Sequence, residues 1–365
     1  MEFTLDDDQR ALQRTVRSML GEHAPPAYVR EMLDDEVGVS PELWQHMVEL
    51  GWVGLLVPEG QGGAGMGLLE MMVVVEEMGR LPLPGPFLSS AVWATLAARR
   101  LQLDDRLASL ASGATRGTIA IDEEGHGDAV DRIRARASRK SGQWRLRGTK
   151  SVVLDGHTAD WVLVPARTQQ GIGTFVVEAP RAVRYPGLDV TRRLARLDLD
   201  DVVAEPVGPD GDQTEIWKRV VDDAAVVLCA ESLGSMQQAF DLAVEYAKVR
   251  VQFDRPIATF QAIKHKAAEM LERIELSRVG VHYAAWTSDA EEPTRAEAAA
   301  MAKAFVGRAA NEVGGESIQI HGGVGFTWDC DAHLHYRKAK ANDLLLGYQG
   351  TWRERVADSY LSTAS

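Results

Sequence analysis

The order in which the hydrophobic period changes along this chain limits its fold more than any other feature. Stretches with apolar residues three and four apart occupy both ends, and a block of short β-branched runs lies between them. A parallel α/β sheet needs strand and helix to alternate, so segregated blocks point elsewhere. The expectation is α+β: an N-terminal helical unit over residues 1–116, a central β-barrel-like unit over 117–212, and a C-terminal four-helix bundle over 213–365.

Within the first unit, residues 4–21 carry Leu12, Val16, Met19 and Leu20 on one side, with Thr4 as the expected cap and Asp7 at the capping-box position. Ser40-Pro41 opens a second helix that Gly51 ends, and residues 68–79 and 88–111 return to helical spacing. "GTIAI", "DRIRARAS", "QWRLRGTKSVVL", "DWVLVPART" and "GTFVVE" then read as strands. Helical spacing resumes over 216–248, 257–287, 294–320 and 341–361.

A net charge of −13 argues against a nucleic-acid binder, which would present a basic face. The two cysteines, Cys229 and Cys330, form neither a zinc pattern nor a disulfide framework. No apolar run is long enough to span a bilayer, and the acidic start lacks the features of a signal peptide. A cytoplasmic protein without nucleic-acid or membrane partners, and without a metal, is expected.

One segment calls for a ligand. In Gln319-Ile320-His321-Gly322-Gly323-Val324-Gly325-Phe326, three glycines within four residues let another group approach the backbone closely. A dinucleotide fingerprint would follow a strand and open a helix. This segment follows a helix, so it is something else.

The block order resembles the acyl-CoA dehydrogenase family, together with four motifs: "LGWVGLLVPEGQGGAGM" (50–66), "GTKSVVLDGHTADWVLVPART" (148–168), "YAKVRVQFDRPIATFQAIKHKAAEM" (246–270) and "QIHGGVGFTWDCDAHLHYRKAK" (319–340). The resemblance covers essentially the whole chain. It implies FAD bound between the β unit and the bundle, with part of each site supplied by a neighbouring subunit. It places Arg250, Phe253 and Gln261 at FAD-contacting positions. It sets the turn Gln319, Ile320, His321, Gly322 and Gly323 against the ADP half of a neighbour's FAD. Arginine suits that role because its planar fork matches phosphate. For Phe253 a core position is the competing reading. Asp254 stands where the family carries Gly; an outward-pointing carboxylate, a different local turn and neutralisation by the adjacent Arg255 are the open readings.

Around the flavin ring the residues differ from the family's pattern. Asp122 stands at a position of Thr, and Val152 and Leu154 at those of Trp and Thr. The resemblance also implies a carboxylate that removes the substrate's α proton. The usual Glu is replaced by Gln349 in "YQGT", or by Leu346 in an ungapped match from Tyr336. The alternative position on the first bundle helix falls on Ala224, which leaves Asp223 beside it as the candidate base and Glu231 as the next carboxylate along. A solvated acidic helix start is the competing reading of Asp222 and Asp223.

The implied activity is α,β-dehydrogenation of an acyl-CoA thioester, with "GGVGFTWDCDAHLHYRKAK" similar to actinobacterial enzymes for steroid-derived CoA esters. A homo- or hetero-oligomer, dimer or tetramer, and an electron-acceptor flavoprotein follow from the same resemblance. Two alternatives stand beside it. One is a base-deficient subunit that completes a catalytic partner's FAD site. The other is a flavin oxidase or mono-oxygenase on the same fold.

Overall fold

The computed structural model describes residues 4–125 and 127–361. The N-terminal helices are α1 (Asp7–His23), α2 (Pro26–Met32), α3 (Pro41–Glu49), α4 (Leu68–Arg80), α5 (Thr95–Arg100) and α6 (Asp104–Ala111), with a π-helical stretch over Phe87–Ala94. The cap of α1 is Asp6 rather than Thr4. Its carboxylate accepts from the Gln9 N–H at 2.8 Å, and the Gln9 side chain accepts from the Asp6 N–H. Ser40 caps α3 as its sequence implied, accepting from the Leu43 N–H at 3.2 Å. The run expected over 88–111 is not one helix. Gln102 adopts a left-handed φ of 58°, and Asp104 and Asp105 start a fresh first turn favoured by the helix dipole.

The strands are β1 (Gly117–Ile119), β2 (Arg136–Lys140), β3 (Gln143–Leu154), β4 (Trp161–Thr168), β5 (Gly171–Glu178), β6 (Val183–Tyr185) and β7 (Leu194–Val207). They form one sheet in the order β1-β4-β2-β3-β7-β5, with β6 on β7. Strand β5 also pairs with β4 over Gly171–Glu178, which closes the sheet on itself. Of "DRIRARAS", only Arg136 onward joins a strand. The barrel interior is small and apolar, with Leu146, Val153, Val164, Phe175, Leu197 and Leu199. It also takes in Lys150, fully buried, whose ammonium donates to Glu123 Oε1 at 2.7 Å and to the Pro165 carbonyl at 2.9 Å.

The C-terminal half contains α7 (Thr214–Val249), a two-stranded hairpin of β8 (Val251–Gln252) and β9 (Arg255–Pro256), α8 (Gln261–Asp289), α9 (Arg295–His321), α10 (Ala332–Leu344) and α11 (Gln349–Leu361). The last helix expected over 341–361 is broken. Leu346 and Gly347 take positive φ values of 61° and 105°, which no helix continues through.

The N-terminal helices and the bundle share one apolar cluster. They meet where α4 crosses α7 at Gly79 and Gly234. A Cβ on Gly234 would stand 1.8 Å from the Glu76 carbonyl oxygen, and one on Gly79 would stand 2.2 Å from that of Glu231. The two backbones touch because neither residue has a side chain. A polar contact reinforces this junction. The carboxylate of Asp289, at the end of α8, accepts from the N–H groups of Leu68 (2.7 Å) and Leu69 (3.0 Å) at the start of α4. One helix therefore caps another from the opposite end of the sequence. Asp289→Ala should cost about 1 kcal/mol, the usual worth of a side-chain cap, and Asp289→Asn should retain most of it. A shift of the urea midpoint reports this, and an unchanged midpoint in Asp289→Ala would remove the cap from the account.

Candidate functional site

Two regions carry the candidate residues. The first is an exposed face where α7 and α9 end together. Helix α9 is tied to α7 by Ser317 Oγ, which donates to the Ala239 carbonyl at 2.7 Å, and by the His321 ring, which stacks on Tyr246 with centroids 4.7 Å apart. His321 Nδ1 lies 2.7 Å from the Ser317 carbonyl oxygen. His321 and Ile320 are thus buried anchors of the turn. Gln319, Gly322 and Gly323 stand exposed, and Gly322 adopts φ 63° as it turns the chain out of α9. Arg250, the cap of α7, is exposed, as is Gln261, the first residue of α8.

Between them the β8–β9 hairpin turns at Phe253 and Asp254, with φ values of 52° and 60°. Two consecutive left-handed residues make the tight turn that right-twisted hairpins prefer, and Asp tolerates that conformation better than most residues. Phe253 is therefore not core: it is 86% exposed at the hairpin tip. Of the readings for Asp254, a distinct local turn holds, and among the described residues no ion pair joins it to Arg255. The Arg255 guanidinium instead lies 4.2 Å over the Phe260 ring.

The second region is a cleft of about 230 Å³ between the barrel and α10. Val152, Leu194, Ala341, Leu344 and Leu345 supply its apolar wall, and Asp122, Glu123, Arg132, Asp189 and Arg192 its charged one. Asp122 bridges to Val152 as an isolated antiparallel pair and is buried. Its carboxylate lies 3.0 Å from the Arg132 guanidinium. Burial nonetheless pushes the Asp122 carboxyl above its ordinary range, against the pull of Arg132. Glu123 is saturated by Lys150 and by the N–H groups of Arg134 (2.8 Å) and Ala135 (3.0 Å). Leu154 is buried farther along β3.

The candidate bases do not meet in this cleft. Leu346 and Ala224 are buried apolar residues, and Gln349 begins α11. Asp223 is buried, not solvated. It accepts from Ser288 Oγ, lies 3.4 Å from Arg100, and lines a separate cavity of about 210 Å³ with Arg99, Asp289 and Glu291. Glu231 is buried among Arg192, Lys338 and Asn342. Burial alone would raise its carboxyl, but these partners hold it below the usual range.

Asp222, read from the sequence only as part of a solvated acidic helix start, is buried as well. It lies beside Arg355 of α11 at 2.7 Å, and Arg355 also reaches Asp128 at 3.6 Å. Burial pushes the Asp222 carboxyl up to about 6, with Arg355 opposing and Asp223 and Asp128 adding to the rise. Helix α7 begins at Thr214, so these adjacent acids are not at its start, and two acids in sequence carry no signal that separates buried from solvated. Lys150 was better marked, since it shares the parity of inward-facing Leu146 on β3.

The Asp222 shift has a definite sign. The folded state holds its proton to a higher pH than the unfolded chain, so this group favours folding at low pH and loses that contribution as pH rises from about 4 to 6. The full change is on the order of 3 kcal/mol. Subtracting the pH–stability curve of Asp222→Asn from that of the native chain should isolate a decline in that window; parallel curves would contradict it.

A barrel between two helical units fused through one core, with a glycine turn displayed at the bundle's end, is the architecture of flavin-dependent acyl-CoA oxidoreductases. The chain belongs to the acyl-CoA dehydrogenase family. Residues 215–361 match the model of its C-terminal domain and residues 6–100 that of its N-terminal domain. Acyl-CoA dehydrogenase IpdE2 of Mycobacterium tuberculosis is 33% identical over 347 residues, 94% of each chain. Acyl-CoA dehydrogenase FadE34 of the same organism is 35% identical over 98% of this chain and 48% of its own length. Among solved structures, a variant of the Tcur3481–Tcur3483 steroid ACAD superposes with a TM-score of 0.90 at 30% identity over 99% of both chains. The ChsE4–ChsE5 complex from Mycobacterium tuberculosis gives 0.89 at 28%, again over 99% of both.

Proposed function

We propose that this chain is a subunit of an FAD-dependent acyl-CoA dehydrogenase that forms an α,β double bond in a steroid-derived or branched CoA thioester. The observation that carries the reading is the exposed face of Arg250, Gln261, Gln319, Gly322 and Gly323, held in place by the half-buried Tyr246 stacked on the buried His321. These residues fit the ADP half of FAD. Arg250 supplies a charge-assisted donor for the diphosphate, Gln319 and Gln261 supply amide groups, and the two glycines leave the backbone open to close approach. Phe253 adds an apolar surface at the hairpin tip. A face this exposed completes a site only against a neighbouring subunit, which makes the working unit an oligomer. The steroid ACAD and IpdE2 likenesses support the substrate class.

FAD, when bound, supplies the acceptor for the substrate's β hydride, and the electrons then leave to an acceptor flavoprotein. The α proton needs a base within hydrogen-bond reach. Leu346 and Ala224 offer none, and Asp223 is engaged by Ser288 and Arg100 in another cavity. This favours a hetero-oligomer in which an unlike partner supplies the base. Nothing at residue level favours an oxidase or mono-oxygenase. In the assembly as purified, Arg250→Ala should weaken FAD retention about 10- to 100-fold, from the loss of a charge-assisted contact of roughly 1.5–3 kcal/mol. Flavin released on denaturation measures this; full retention would remove the face from the site. Asp223→Ala should leave turnover of the assembly within about threefold of the native rate, whereas loss of a general base costs ~10²–10⁴.

A further inference from the structure

The stretch from Arg132 to Lys150 carries six arginines, two lysines and no acidic residue, in a chain whose net charge is −13. Its two end residues turn inward, Arg132 to Asp122 at 3.0 Å and Lys150 to Glu123 at 2.7 Å. Between them β2 pairs antiparallel with β3, and Ala137 and Leu146 face the core across one rung. Side chains alternate along a strand, so Arg136 and Lys140 of β2 and Arg145 and Arg147 of β3 stand on the outside of the barrel. Arg136 lies directly opposite Arg147. Like charges at facing positions are destabilising. Asp201 of β7, in a left-handed conformation, takes Arg147 at 2.9 Å, Arg145 at 3.4 Å and Lys140 at 3.7 Å. Arg134 and Arg136 are exposed, and among the described residues their side chains have no ion-pair partner.

A charged edge strand is an ordinary guard against aggregation, and β2 is an edge beyond Arg136, where its pairing with β4 ends. That reason does not extend to Arg145 and Arg147, which lie on β3 between β2 and β7. We infer that this outer barrel face is the docking surface for the electron-acceptor flavoprotein, which meets it with an acidic surface. The inference rests on the proposed function, in which one protein has to arrive and leave in every turnover. The face suits such a transient partner. Permanent interfaces are depleted of charge at their core, whereas exposed charges of one sign favour fast, salt-sensitive encounter. Complementary fields raise association rates by about 10- to 1,000-fold. Arginine forks pair with carboxylates through two parallel hydrogen bonds, so an acidic partner also relieves the repulsion between Arg136 and Arg147. The negative charge of the chain as a whole disfavours a nucleic acid in the same place.

The test uses the assembly as purified and the electron-transferring flavoprotein of the same organism. Association is followed by surface plasmon resonance. Turnover of one CoA ester is measured twice, with that flavoprotein and with a ferrocenium dye as acceptor. Arg136→Glu combined with Arg147→Glu should slow association about tenfold or more at low ionic strength and leave the dye-coupled rate within about twofold of native. The KM for the flavoprotein should rise with it. Arg136→Lys combined with Arg147→Lys keeps the charge and should keep most of the association rate. In the native assembly that rate should fall as salt is raised to physiological strength. Association indifferent to the Glu pair, or to salt, would overturn the inference. So would a single-stranded oligonucleotide that binds the face more tightly than the flavoprotein does. If the Glu pair disturbs the assembly, Arg134→Gln with Arg136→Gln takes its place, since it alters only unpaired side chains; slower association then supports the docking and an unchanged rate overturns it. Absence of turnover with either acceptor would count against the dehydrogenase reading, while association would still decide the docking.

Discussion

The crossing of α4 over α7 is the constraint on which the rest of the structure depends. Gly79 and Gly234 bring the two backbones into contact, and no other residue type fits at either position without moving a helix. That contact sets where α7 lies, and α7 runs the length of the C-terminal half. Its first turns carry Asp222 and Asp223, its middle carries Glu231, and its last residue leads into Arg250 and the hairpin. A shift at the crossing would therefore move the buried carboxylates and the exposed face together. The Asp289 cap on α4 secures the same junction from the end of α8.

Buried charge is unusually frequent near the barrel–bundle boundary, and it is organised. Glu231, Arg192, Lys338 and Asn342 make one group, Asp122 with Arg132 and Glu123 with Lys150 another, and Asp222 with Arg355 and Asp128 a third. Pairs of this kind add little net stability compared with apolar packing, while losing one partner is costly. They hold a geometry. The exposed face shows the opposite economy: its anchors, His321, Tyr246 and Ser317, are inward, and its polar residues are left to solvent. Such a division suits a subunit whose contribution lies on its surface.

Much of this was legible in the sequence. The block order follows from hydrophobic period alone, because a helix and a half-buried strand repeat at 3.6 and 2 residues whatever they pack against. The long helices α7, α8 and α9 were placed within a few residues for that reason. Ser40 announced its own cap because the Ser-Pro pair acts locally. The motif around Gln319–Gly323 carried the resemblance to the family; of the residues it marked, Gln319, Gly322 and Gly323 are exposed, while Ile320 and His321 are buried. The break at Leu346 and the division of 88–111 were not legible, since apolar spacing continues across both.

What the sequence determined by itself was therefore the periodic part of the fold and the family to which the chain belongs. What only the tertiary structure decided was burial and direction. Phe253 and Ile320 are both apolar residues in ligand motifs, yet one is a hairpin tip and the other core. Asp222 and Asp223 are identical neighbours, yet one turns to Arg355 and the other to Ser288 and Arg100, because successive helical residues point about 100° apart. A carboxylate's chemistry is set by its partners and by its distance from water, and those partners lie at sequence separations that no local pattern encodes.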